Sequence, residues 1–162
     1  GSGPYARAFV AAGCHVTLLD RPDVIRHVRE AFGLDRITGL ELVEGDFTAG
    51  LPPGPFDIVL CADVLHELRA AEARALLAHA VRVVGNEGVI GVVDLFRGRS
   101  GRAALYAVTL LLYGDGADTH AAGDVVSWLE AVGFGEARFR DLDAGRSLLT
   151  AVRARAEPRE SG

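Results

Sequence analysis

The chain has 162 residues, of which 49 % are apolar and 24 % charged, with a net charge of −5. That length and balance suit one globular domain with a real core, and the negative charge argues against a nucleic-acid or anionic-membrane surface. The longest apolar run, Ala107 to Tyr113, falls far short of the ~20 residues that a membrane helix needs.

Gly1-Ser2-Gly3 reads as a glycine turn, followed by a helix from Pro4 to Ala12 that Gly13 closes. His15 to Leu19 is a short aliphatic strand that runs into Asp20. Pro22 to Phe32 is an amphipathic helix with Val24, Ile25, Val28 and Phe32 on one stripe and Gly33 as its stop. Leu40 to Val43 is a strand ending at Gly45-Asp46-Phe47. The turn Pro52-Pro53-Gly54-Pro55 launches the apolar strand Phe56 to Cys61, suited to a sheet centre. A helix from about Ala71 to Val84 follows, and Gly85-Asn86-Glu87-Gly88 is expected to turn into a strand from Val89 to Phe96.

Beyond Phe96 the pattern changes. A polar, Gly-rich stretch leads into an apolar helix from Ala103 to Tyr113, which Gly114-Asp115-Gly116 breaks. Asp124 to Val132 is a helix carrying Trp128. Ala137 to Arg140 and Ser147 to Val152 are two strands close enough to pair as a hairpin through Asp141 to Arg146. Alternation of strands and helices at this spacing implies an α/β fold with a parallel sheet. One domain is expected over 1–155, with 156–162 a charged, disordered tail. No Met occurs anywhere, so the chain reads as the C-terminal part of a longer protein. Cys14 and Cys61 read as buried reduced thiols, which goes with a cytoplasmic protein. The five His residues show no paired ligand spacing, so no metal site is expected.

The glycine turn and Asp20 together form a nucleoside-binding pattern. Glycines let backbone approach a ligand where a side chain would collide, and a carboxylate at the next strand's end can chelate both ribose hydroxyls. Asp20, Asp46 and Asp94 all stand at strand C-termini, where open parallel sheets bind ligands. Capping of the helix at Pro22 is the alternative role for Asp20. A carboxylate such as Asp46 selects an exocyclic amine, and Phe47 beside it supplies flat apolar area.

Leu18-Leu19-Asp20-Arg21-Pro22-Asp23-Val24-Ile25, Glu44-Gly45-Asp46-Phe47, Val64-Leu65-His66-Glu67 and Ala131-Val132-Gly133-Phe134 occur in that order. Together they resemble the catalytic domain of S-adenosylmethionine-dependent small-molecule O-methyltransferases, those with an N-terminal dimerisation domain, across essentially all 162 residues. The resemblance implies a Rossmann-like sheet with helices on both faces and its first, central strand missing from this chain. The piece alone would then be poorly folded and inactive. It further implies S-adenosylmethionine as cofactor, an apolar aromatic or polycyclic small-molecule acceptor, a homodimeric parent, and neither nucleic acid, membrane nor metal as partner.

Residue by residue, Gly1 and Gly3 match the end of the cofactor loop, Asp20 the ribose-binding acid and Arg21 a position against the adenine. Asp46 matches the acid that accepts from the adenine amine and Phe47 the residue on its face. Cys61, ending its strand, joins the cofactor-side candidates. His66 matches the general base that takes the proton of the acceptor hydroxyl, and imidazole suits that task near neutral pH. A structural or gating histidine is the alternative. Asp94 matches the acid that steers the base, one methylene shorter than the Glu of plant members.

The chain departs from the family at three places. Glu67-Leu68 replaces Asp-Trp, Ala62 replaces a Lys, and a second steering Glu has no clear match, with Asp115, Asp118 and His120 nearby but unassigned. Leu105, Tyr106, Leu110 and Tyr113 are candidates to line an acceptor cavity, or else plain core or a dimer face. Methylation of carbon or nitrogen instead of oxygen, and a non-catalytic cofactor-binding or dimerising module, are the competing readings.

Overall fold

The computed structural model describes residues 3–113 and 117–154, apart from the side chains of 111 and 113. Gly1, Asp115, the side chain of Tyr113 and the tail 156–162 therefore lie outside the described residues. The chain divides into two compact units, Gly1–Pro52 and Pro53–Gly162.

The first unit runs α1 (Pro4–Ala11), β1 (Val16–Asp20), α2 (Pro22–Phe32), a 3₁₀ turn (Leu34–Arg36) and β2 (Leu40–Glu44). β1 and β2 pair in parallel, from Val16 opposite Leu40 to Asp20 opposite Glu44. Helix α2 has the ends its sequence implies: Pro22 sits in its first turn, where no amide hydrogen is needed, and Gly33 closes it in the left-handed region at φ 59°. Its Ile25 and Val28 are fully buried with Leu34, and Leu18, Val24, Ile37, Leu40 and Leu42 pack around them. Phe32 departs from the expected stripe. It is 44 % exposed, edge-on to His27. The reversal at Gly33 delivers Leu34 into the core, so the last residue of α2 is left outside it.

The second unit runs β3 (Phe56–Ala62), a 3₁₀ turn (Leu65–Glu67), α3 (Ala70–Val83), β4 (Val84–Asp94), α4 (Gly101–Tyr113), α5 (Ala122–Ala131), β5 (Phe134–Asp141), a 3₁₀ turn (Asp143–Gly145) and β6 (Ser147–Arg153). Its sheet has the order β3-β4-β6-β5. β3 and β4 are parallel, while β6 runs antiparallel to both β4 and β5, closing the hairpin read from the sequence. Ile90, Val92 and Val93 of β4 are buried, as its continuous apolar run requires.

The structure departs from the sequence expectation at two further places. Gly85 to Gly88 does not separate a helix from a strand. β4 begins at Val84 and keeps pairing with β3, and only Asp57 lies between the partners of Val84 and Val89. The four residues form a bulge, with Glu87 at φ 62°. Gly88 is needed there because a Cβ would meet Val84 Cγ1 at 2.6 Å. Cys14 is exposed, in the turn that follows α1, whereas Cys61 is buried in β3. No helix among the described residues is long and apolar enough to cross a membrane.

Candidate active site

Each unit carries its own group of the residues singled out above. In the first, Gly3 caps α1 in the left-handed region at φ 72°. The left-handed backbone favours glycine, and a Cβ there, 2.6 Å from Leu34 Cδ1, would also have to displace that side chain. Asp20 ends β1, and its Oδ1 accepts the backbone N–H of Arg21 at 2.8 Å. Arg21 is the N-cap of α2, which starts without a side-chain cap, so the capping role weighed for Asp20 is not what the backbone shows. The Arg21 guanidinium is exposed, 3.6 Å from the Asp23 carboxylate.

Asp46 follows β2 by two residues in a tight polar turn. Its Oδ1 accepts from the Thr48 hydroxyl at 2.6 Å and from the Thr48 backbone N–H at 2.8 Å. The hydroxyl, then the amide, hold its carboxyl below the usual carboxylate range, so Asp46 stays ionised. Both bonds land on Oδ1, which leaves Oδ2 with acceptor capacity. Phe47 beside it is half-buried.

In the second unit the parallel pairing of β3 and β4 brings their C-terminal ends side by side. The ladder is extended one step by Asp63 N–H to Val93 O at 2.8 Å. Asp63 then takes a left-handed conformation, φ 54°, which re-aims the chain, and Arg146 Nη1 holds its Oδ2 at 3.0 Å. Leu65, 1 % exposed, anchors the 3₁₀ turn that follows. The result is that His66 lies against Asp94, the last residue of β4. Nδ1 of His66 is 2.8 Å from Asp94 Oδ1, and the backbone N–H of His66 donates to Oδ2 at 3.2 Å. Oδ1 also accepts from Leu95 N at 2.7 Å.

This pair has a definite electrostatic character. Asp94 is almost wholly buried and accepts only, so Nδ1 carries the proton and Nε2 of the neutral ring is the basic nitrogen. Burial works against the charged imidazole. The hydrogen bond and charge of Asp94, with the charges of Glu67 and Asp63, outweigh it and raise the pKa of His66 above its ordinary value. On the Nε2 side stands Tyr106 of α4, its hydroxyl 3.5 Å away and its ring edge-on to the imidazole.

The remaining candidates fall out differently. Cys61 is buried, and burial, with the nearby Asp94 charge, pushes its thiol up to about 12, so it stays neutral and any contact it makes is packing. Of the cavity candidates on α4, Leu105 is exposed, Leu110 half-buried, and Tyr106 stands against His66. Asp118 is taken by Arg97 at 3.0 Å. His120, unassigned in the sequence, is buried with Nε2 at 2.9 Å from Leu65 O and 3.1 Å from Leu68 O, the carbonyls that flank the His66 turn. Among the described residues no group of three or more His, Cys, Asp or Glu could hold a metal ion.

A family model described as a methyltransferase domain matches residues 1–92, more than half of the chain. The chain belongs to this family. The match takes in Asp20, Asp46 and His66 and ends two residues short of Asp94. Solved methyltransferase structures share the α/β, Rossmann-like fold of the domain. PigF with SAH superposes at a TM-score of 0.81 and 21 % identity, covering 93 % of this chain and 48 % of that one. Human N-acetylserotonin methyltransferase in complex with SAM gives 0.81 and 23 %, covering 96 % and 46 %. The pyocyanin biosynthetic protein PhzM gives 0.79 and 24 %, covering 95 % and 48 %. The chain thus spans about half the length of each. No curated protein matched the sequence. S-adenosylmethionine as cofactor agrees with the family and with the molecules in the first two structures.

Proposed function

We propose that this methyltransferase domain uses S-adenosylmethionine to methylate a hydroxyl on an apolar, aromatic or polycyclic small molecule, with His66 as the general base. The observation that carries the reading is the hydrogen bond from His66 Nδ1 to the buried Asp94. It fixes the ring, spends Nδ1, and leaves Nε2 as a proton acceptor with a pKa lifted by its partner. A hydroxyl must lose its proton as it attacks, whereas a neutral amine already carries a reactive lone pair, so a positioned base favours oxygen as the acceptor atom.

Residues of the chain fit the cofactor's polar end. Asp20 would hold the ribose hydroxyls, and Asp46, ionised by Thr48 and with Oδ2 to spare, would accept from the adenine amine. Phe47 would pack on the adenine, with Arg21 against it, while Gly3 would form the end of the loop. When bound, S-adenosylmethionine supplies a methyl group activated by its sulfonium. What the chain itself does is hold the acceptor oxygen within reach of His66 Nε2 and take its proton there, while Asp94 stabilises the imidazolium that forms. From the family resemblance the reading also takes in a homodimeric, cytoplasmic working form, with neither nucleic acid nor membrane as partner.

The test is methyl transfer from S-adenosylmethionine to matched phenolic, amine and carbon-nucleophile panels by the full-length protein, followed by mass spectrometry. Methylated phenols are the expected product. Transfer confined to amines or carbon, or none to any panel, would overturn the assignment.

A further inference from the structure

The His66–Asp94 pair joins two segments, the end of β4 and the turn that places His66 three residues beyond Asp63, whose N–H donates to Val93 O. Asp94 ends a strand. His66 sits in a three-residue 3₁₀ turn, whose hydrogen bonds have poorer geometry than those of an α-helix. Buried Leu65 and the two His66–Asp94 bonds hold the turn, and His120 adds a further contact to it.

His120 touches the turn and the stretch of chain that follows Asp94. Its ring Nε2 reaches Leu65 O at 2.9 Å and Leu68 O at 3.1 Å, the residues on either side of His66-Glu67. Carbonyls only accept, so Nε2 carries a proton and shares it between the two. Its backbone goes the other way. The carbonyl of His120 accepts the N–H of Arg97 at 2.9 Å, and the carbonyl of Arg97 accepts the N–H of Ala122 at 3.1 Å. Arg97 and Ala121 form a parallel bridge there, three residues beyond Asp94. The ring is also held, edge-on to Trp128 at 5.1 Å, and Trp128 in turn carries the Arg74 guanidinium at 5.1 Å. A residue that is 8 % exposed therefore links the turn that carries His66 to Arg97, three residues beyond Asp94.

We propose that His120 is the positioning residue that sets the spacing of His66 and Asp94, its backbone tied to Arg97, three residues past the end of β4, and its ring to the turn that carries His66. It does not touch the reacting atoms. Its effect on turnover rests on the reading of His66 as the base, but its effect on the geometry of His66 does not. A buried histidine that merely satisfies two carbonyls would affect stability and leave the His66 ring as it is.

The test compares His120→Gln, His120→Asn and His120→Leu with His66→Ala in the full-length protein. Kinetics are joined to ¹⁵N NMR of histidine rings, which reports whether His66 Nδ1–H is still bound to a carboxylate. Glutamine can place an amide nitrogen where Nε2 stands and is expected to keep kcat within about threefold. Asparagine is one bond too short and leucine has no donor. Both are expected to lose the bound Nδ1–H signature and to lower kcat by roughly ten- to a hundredfold with an unchanged KM for S-adenosylmethionine, the scale of a misplaced catalytic group. If the leucine variant does not fold, the asparagine variant decides. An asparagine or leucine variant that folds and keeps the Nδ1 signature would overturn the proposal. Loss of that signature alongside a fully active His66→Ala would uphold the clamp and remove His66 as the base.

Discussion

Asp94 meets His66 twice: its Oδ1 lies 2.8 Å from the ring Nδ1 and its Oδ2 accepts the backbone N–H at 3.2 Å. The second bond matters as much as the first. It orients the carboxylate against the same residue whose ring it polarises, so ring and backbone cannot drift apart. A carboxylate one methylene shorter than glutamate reaches the imidazole because the strand end and the 3₁₀ turn are adjacent.

His66→Ala removes the ring nitrogen that stands beside the Tyr106 hydroxyl, placed to accept a proton. Turnover on a hydroxyl acceptor is expected to fall by roughly 10²–10⁴, with the dissociation constant of S-adenosylhomocysteine within about twofold of wild type. Steady-state kinetics and titration calorimetry on the same preparation check both halves.

Asp94→Asn keeps the size but removes the charge that raises the pKa of His66. The base works when deprotonated, so wild-type kcat is expected to rise with pH through a value above about 6.5. In the variant this acid limb moves to lower pH, while the plateau drops by about ten- to a hundredfold because the imidazolium loses its stabilising partner. The stability sign runs opposite. A histidine whose folded pKa is raised contributes stability that is complete below its unfolded pKa and is lost as pH rises through the folded one. Urea unfolding between pH 5.5 and 8.5 is expected to show wild type losing stability relative to Asp94→Asn across that window.

Asp20→Ala and Asp46→Ala are each expected to weaken S-adenosylhomocysteine binding by roughly ten- to a hundredfold, the usual loss for a charge-assisted hydrogen bond. Thr48→Ala is a useful companion. It removes the hydroxyl bond while keeping the backbone one, and lets the carboxyl titrate nearer the ordinary range, so binding is expected to weaken chiefly below about pH 5. Calorimetric titration across pH 4.5 to 7.5 separates the two effects.

Tyr106→Phe is expected to change kcat by less than about threefold. A hydroxyl at 3.5 Å is at the outer limit of a hydrogen bond, and the edge-on ring contact survives the change. Tyr106→Ala removes the ring and is expected to raise the acceptor KM instead. An initial-rate comparison of the two variants tells packing from hydrogen bonding.

Local chemistry wrote much of the chain legibly. Pro22 and Gly33 marked the ends of α2 because a missing amide hydrogen and a left-handed residue have only a few tolerable places in a helix. The alternation of apolar runs and glycine stops placed every strand, since strand and helix periods are properties of a dozen neighbouring residues. What escaped depends on distant partners. Gly85 to Gly88 has the composition of a turn, yet pairing with β3 carries the strand through it as a bulge. Phe32 has the spacing of a core residue, yet Leu34 takes the core position. The sequence by itself determined the element order, the acids at strand ends and the family to which they point. Only the tertiary structure decided that Asp94 faces His66, that Tyr106 stands over Nε2, and that His120 joins the segments carrying the pair. Those contacts join residues 28, 40 and about 50 positions apart, and no periodicity within a chain encodes which parallel neighbour a strand will choose.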